Sequence, residues 1–166
     1  METNLASAAT RSQLAAFYRD ALLADVLPFW LRHGMDREHG GLLTCLDRDG
    51  SIIDTDKSVW FQGRAAWMFA TVANTLGSSG REEALTECGM RNAECGVKDQ
   101  RQLVPSHLDL LAASRSCIEF LRAHCAVPDG KLYFTVTREG RPLRMRRYVY
   151  SESFAAIANA AYAKAT

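Results

Sequence analysis

No apolar run in these 166 residues approaches the roughly 20 needed to span a bilayer, which argues against an integral membrane helix. There is no excess of either charge. Twenty Lys and Arg against 19 Asp and Glu leave a formal net charge of +1, so nothing draws the chain to nucleic acid or to an anionic membrane. The opening Met1-Glu-Thr-Asn-Leu-Ala-Ser-Ala-Ala-Thr10 lacks the basic and apolar blocks of a signal peptide, and a cytoplasmic location is the expectation. Cysteines are few and unpaired in pattern. Cys45, Cys88, Cys95, Cys117 and Cys125 make an odd, irregular set without a C-x-x-C pair. This excludes a disulfide framework and a zinc ribbon, and reads as free thiols with no metal and no cofactor.

What remains is a soluble, single-domain composition, 48% hydrophobic and 23% charged. Apolar residues recur at spacings of three and four from Ser12 to His33, which predicts a first helix. Thr10 or Ser12 would cap it and Gly34 would supply a left-handed stop. Pro28 predicts a kink or a new last turn. Gly40 to Ile53 reads as a β-hairpin or a long ordered loop turning at Asp49-Gly50.

The densest stretch is Lys57-Ser-Val-Trp-Phe-Gln-Gly-Arg-Ala-Ala-Trp67, which opens a helix running to about Leu76. Trp60, Arg64 and Trp67 are spaced i, i+4, i+7 and share one face. An arginine between two indoles is either a buried structural ion or part of a polar site with aromatic walls. Apolar positions surround most of this helix, so it is expected to pack on several sides, with Trp67 in the packing. Its polar Gln62 and Arg64 then need partners or a wet cavity. Gly77-Ser-Ser-Gly80 fits a helix stop and linker, with no lysine following to make a phosphate loop.

Residues 81–113 have weak periodicity, with only Leu108 to Ala113 helical in pattern; a clean helical pattern returns at Ser114–His124. Asp129–Thr137 reads as a strand, Arg138–Arg141 as a turn and Pro142–Met145 as a short return. A last helix starts near Ser151, its expected cap, and continues to the C-terminus without a cap of its own, which reads as truncation.

Two stretches match without a gap at an offset of 90. Gly40, Leu42, Arg48 and Gly50 meet Gly130, Leu132, Arg138 and Gly140; Lys57, Val59 and Trp60 meet Arg147, Val149 and Tyr150. Gln62 meets Glu152 and Arg64 meets Phe154. Each unit is an outer helix, a hairpin and an apolar inner helix. Such units bury their apolar faces only by stacking or closing into a ring. The fold class expected is all-α, an incomplete toroid of helical hairpins with short β-hairpins between outer and inner helices. In that register Gln62, Arg64 and Glu152 are expected at one cavity mouth.

The Trp60-Phe-Gln-Gly-Arg-Ala-Ala-Trp67 stretch, with Trp30, His39-Gly-Gly41 and Arg146-Arg-Tyr-Val-Tyr-Ser-Glu-Ser-Phe154, resembles the N-acylglucosamine 2-epimerase family, which includes cellobiose 2-epimerases and mannose isomerases. The resemblance covers residues 12–80 and 114–166. It implies an (α/α)6 barrel and epimerisation at C2 of an open-chain aldose such as N-acetylmannosamine or N-acetylglucosamine. It places Arg64 in the sugar site, with Trp60, Gln62, Tyr148 and Glu152 as further substrate-binding candidates. The family's two catalytic histidines have no counterpart in His33, His39, His107 or His124. The chain therefore reads as residues 1–166 of the N-terminal part of such a domain, with 84–113 an insertion or aberrant segment and little or no turnover of its own. The alternative is an inactive half-barrel that self-associates or regulates a partner.

Overall fold

The computed structural model describes residues 7–78, 104–145 and 149–166. Tyr148, Arg146, Arg147, Gly80, Cys88, Cys95 and the 84–103 part of the expected insertion lie outside the described residues.

The chain opens with α1 (Ala8–Ala21) and continues through a wide turn into the short α2 (Leu27–Phe29) and a second wide turn ending at Gly34. The Leu27 N–H bonds the Leu22 carbonyl, and the Met35 N–H bonds the Trp30 carbonyl, each five residues back. Pro28 has no N–H to give to the regular ladder, and the loosened turns flank it, which answers the expected kink. Two expectations about the ends change. Ser7, not Thr10 or Ser12, stands at the N-cap, and its side chain makes no cap bond. Gly34 is not among the glycines with left-handed backbone. Its reason is space, because a Cβ there would lie 2.6 Å from Trp30 Cε3.

An antiparallel hairpin follows, β1 (Cys45–Leu46) with β2 (Ile52–Asp54), turning through Gly50 at φ +87°. Lys57 does not open the helix. It lies in β3 (Lys57–Ser58), and α3 (Val59–Ser78) starts after it. Next in the description comes α4 (His107–His124), one unbroken helix with a capping box between Ser106 and Asp109. Leu110 and Ala113 are buried in the core, and 107–113 form the first turns of this helix. Then β4 (Thr135–Val136) and β5 (Pro142–Arg144) form a second hairpin. Its β4 also pairs antiparallel with β3, giving a three-stranded sheet in the order β3-β4-β5. Last is α5 (Tyr150–Ala165), whose N-cap is Val149; Ser151 instead donates to the Tyr133 carbonyl at 3.3 Å.

α3 is the centre. Its buried side carries Ala65, Ala66, Phe69 and Ala73, and small residues there let α4 and α5 approach closely. Ser114 of α4 donates to the Ala66 carbonyl at 2.8 Å. Gly63 abuts the backbone of Phe154 and Ala155, and Asn74 donates to the Ala161 carbonyl, so α3 and α5 run in the same direction. A second apolar cluster of Val59, Phe120, Leu121, Cys125 and Val136 fills the space under the three-stranded sheet.

The repeat is physical. Gly40, Gly50, Gly130 and Gly140 all have positive φ, from +74° to +94°. Gly50 seats against the His33 ring and Gly140 against the His124 ring, so each hairpin tip rests on a histidine at the end of a helix. Those rings in turn lie beside Phe29 and Phe120, at 5.2 and 5.0 Å.

Candidate functional site

Site geometry begins at the joint between the units. Asp36 accepts from Lys57 Nζ at 2.9 Å and from Arg138 Nε and Nη2, both at 2.9 Å. Lys57 Nζ also donates to the Gly40 and Arg138 carbonyls, at 2.7 and 2.9 Å, and lies 4.2 Å from the centre of the Phe120 ring. Lys57 is wholly buried, yet each of its three N–H donors has an acceptor. Burial pushes the Asp36 carboxyl up, but the bonds from Arg138, Lys57 and the amides of His39 and Glu38 outweigh it and hold it well below the carboxylate range. Burial pulls the Lys57 ammonium down, against the raising pull of Asp36. This network joins the 36–41 loop, β3 and the tip of the second hairpin, so it fixes how α3 is set in the molecule.

Gln62 is the second fixing point. Its Oε1 accepts from the Leu42 N–H at 2.7 Å and its Nε2 donates to the Leu42 carbonyl at 2.6 Å. It is completely buried and lies roughly 200° round the helix from Trp60, since successive residues turn by about 100°. Glu152 stands in the same place in the second unit, with Oε1 accepting from the Leu132 N–H at 3.0 Å. Among the described residues its buried Oε2 has no hydrogen-bond partner. The expectation that Gln62, Arg64 and Glu152 share one cavity mouth is therefore corrected. Gln62 and Glu152 clamp the chain segments leading into the hairpins, while Arg64 is on the other side of α3.

The face with Arg64 is open. Arg64 is exposed, and among the described residues no hydrogen bond or ion pair engages its guanidinium. Thr71 is exposed further along the same stripe. Trp60 is half-buried, its ring between Phe61 at 5.7 Å and Phe154 at 6.0 Å. Trp67 is 38% exposed, so most of its indole is covered and the rest faces the open side of α3. Of the sequence candidates, the structure brings Trp60 and Arg64 onto one face, sets Gln62 and Glu152 apart from them, and leaves Tyr148 undescribed.

None of the histidines belongs to this face. His33 and His124 lie under the hairpin tips and His107 packs near Gly77. His39 lines a separate cleft of about 210 Å³ with Ser116, Glu119, Phe120 and His124, which shares no residue with the α3 face. Cys117 and Cys125 are buried thiols pushed up to about 12 by burial, and so are poor nucleophiles. Among the described residues no cluster of His, Cys, Asp and Glu could hold a metal ion, and no helix is long and apolar enough to cross a membrane.

No family model matches the chain. Among curated proteins it is 34% identical to the N-acylglucosamine 2-epimerase of Rattus norvegicus over 138 residues, 82% of this chain and 27% of the relative. It is 34% identical to the Homo sapiens N-acylglucosamine 2-epimerase over 135 residues, 80% of this chain and 26% of the relative. The chain belongs to the N-acylglucosamine 2-epimerase family. It spans only about a quarter of the length of these curated relatives. The cellobiose 2-epimerase of Eubacterium cellulosolvens, 26% identical over 147 residues, extends the family likeness to disaccharide epimerases. The fold agrees. The cellobiose 2-epimerase from Spirochaeta thermophila DSM 6192 superposes with a TM-score of 0.66 over 99% of this chain and 33% of that one, at 22% identity. That from Bacillus thermoamylovorans B4167 gives 0.66 over 93% and 33%, also at 22% identity. Family and mostly helical architecture are thus as the sequence led one to expect. The lysine–aspartate–arginine joint was missed. Its signal was Lys57, a cation directly ahead of the apolar Val59-Trp60-Phe61.

Proposed function

We propose that this chain forms the Arg64-bearing wall of a sugar site in a 2-epimerase acting on an open-chain aldose of the N-acetylmannosamine or N-acetylglucosamine kind. The observation that carries this reading is Arg64 itself: exposed, unpaired among the described residues, and set on a face held rigid by buried clamps behind it. In such a reaction the proton beside the sugar carbonyl leaves and returns on the other face, and the carbonyl oxygen gains negative charge in between. A fixed guanidinium suits that oxygen, because it needs no rearrangement as the charge grows. Trp60 lies on the same face as a candidate sugar contact. Gln62 and Glu152 act at one remove by setting the helices. No described histidine reaches the Arg64 face, so the acid/base pair comes from residues other than those described. In this reading α3 and α5 are inner helices of an incomplete (α/α)6 toroid and α4 is an outer one.

Calorimetric titration with N-acetylmannosamine tests the reading. Binding is expected, Arg64→Ala should weaken it at least about tenfold, and the chain alone should exchange no deuterium into C2 in heavy water. Absence of binding would refute the sugar-site reading, and exchange would refute the outside origin of the acid/base pair.

A second reading has one specific observation in its favour. Val149, Tyr150 and Ile157 leave an apolar side of α5 exposed at 71%, 61% and 40%, where a second copy of the chain could seat. In that reading the chain is an oligomerising half-barrel. A monomer by light scattering across micromolar concentrations would eliminate it.

A further inference from the structure

We infer that Trp67 is a substrate-contacting residue, the indole against which the apolar face of the closed sugar ring stacks on binding, before ring opening, while Arg64 holds an oxygen at the ring's edge. The inference rests on the sugar-site reading and adds a residue which that reading does not use.

Three observations lead to it. The first is exposure. Trp67 is 38% exposed, whereas Phe69, about 200° round the helix, is fully buried. An indole that served only to pack would lose roughly 25 cal/mol for each Å² of apolar surface left wet. The second is the composition of the two sides of α3. The buried side carries Ala65, Ala66, Ala70 and Ala73 with Phe69 as its one large ring, whereas both indoles of α3 lie on the side that Arg64 leaves open. The third is a comparison of the two indoles. Trp60 is held between Phe61 and Phe154, which occupy its ring, whereas Trp67 has no ring partner among the described aromatic pairs. Arg64 lies three residues before Trp67, on the same face.

The neighbouring helix supports the ligand class. At the positions corresponding to Trp60, Arg64 and Trp67, α5 carries Tyr150, Phe154 and Ile157. Among the described residues at these positions, the wall made by α3 and α5 offers the one cation Arg64 in an otherwise aromatic and aliphatic surface. A neutral ring with an apolar face and oxygen acceptors at its edge fits this; a strongly hydrated polyanion does not, because one guanidinium cannot neutralise it.

The test uses the whole chain with its three tryptophans labelled with ¹⁵N at the indole nitrogen, assigned through Trp30→Phe, Trp60→Phe and Trp67→Phe. On titration with N-acetylmannosamine the Trp67 indole resonance should move most. Trp67→Ala should weaken calorimetric binding about tenfold, and Trp67→Phe should recover part of the loss, with both variants melting as the wild type does. Sugar binding that depends on Arg64 but leaves the Trp67 resonance still, or Trp67→Ala binding at wild-type strength, would overturn this inference and leave the sugar site standing. A fall in melting temperature with Trp67→Ala would show a packing residue and overturn it too. No binding at all would take both readings down together.

Discussion

Asp36 ties the 36–41 loop to β3 and to the tip of the second hairpin. It lies between two cations, and one of them, Lys57, has no access to water. Asp36→Asn keeps the shape and removes the charge, stranding a buried ammonium, so it should cost about 3–5 kcal/mol in denaturant unfolding. The carboxyl is held below its unfolded value, so its stabilisation is present above the ordinary carboxylate pKa and is lost as pH falls through and below it. Wild type should therefore lose stability below about pH 4, and the asparagine variant should show a flatter acid limb in the same range. Glu152 invites the opposite experiment. Gln62 satisfies both the N–H and the carbonyl of Leu42, whereas Glu152 reaches only the N–H of Leu132 and leaves Oε2 buried and, among the described residues, unpartnered. Glu152→Gln supplies the missing donor and should raise stability by about 1 kcal/mol, read as a higher melting temperature. No rise would show that the two clamps are not equivalent.

Helices α3 and α5 meet where α3 has no side chain. A Cβ on Gly63 would lie 2.8 Å from the Phe154 carbonyl carbon, and backbone cannot swing aside. Gly63→Ala should push the helices apart and cost about 1–3 kcal/mol, although alanine is the better helix former. A gain in stability would mean that the contact is looser than it is drawn. At this scale much was legible beforehand. The apolar positions all round α3 marked a helix packed on several sides, and the offset of 90 aligned two hairpins whose turn glycines share their left-handed backbone. What stayed hidden was direction. Spacing put Trp60, Arg64 and Trp67 on one face, but only the packed neighbours show that this face is the open one. Gln62 looked like a site residue because a buried amide and a ligand-binding amide are the same residue type. The two are told apart by the peptide of Leu42, twenty residues away.

Across the whole molecule, the two units share one sheet and one ion network. The β3–β4 pairing and the Lys57–Asp36–Arg138 joint both cross the boundary between units. Neither unit closes without the other, so urea unfolding followed by tryptophan fluorescence and by circular dichroism should give coincident single transitions. Two separated transitions would show that the units are independent. The sequence pointed to stacking units through their exposed apolar faces but not to this shared strand. Lys57 and Ser58 read as the start of a helix, and strand pairing depends on a partner far along the chain. That distance also affects synthesis. The partner strand of Lys57 and Ser58 is at Thr135 and Val136, almost half the chain later. At about 5–20 residues per second the ribosome needs several seconds to deliver it. During that interval Lys57 has Asp36 and the Gly40 carbonyl but not the Arg138 carbonyl, and the edge of β3 has no partner strand on the nascent chain, so the first unit waits for the second before its centre can close.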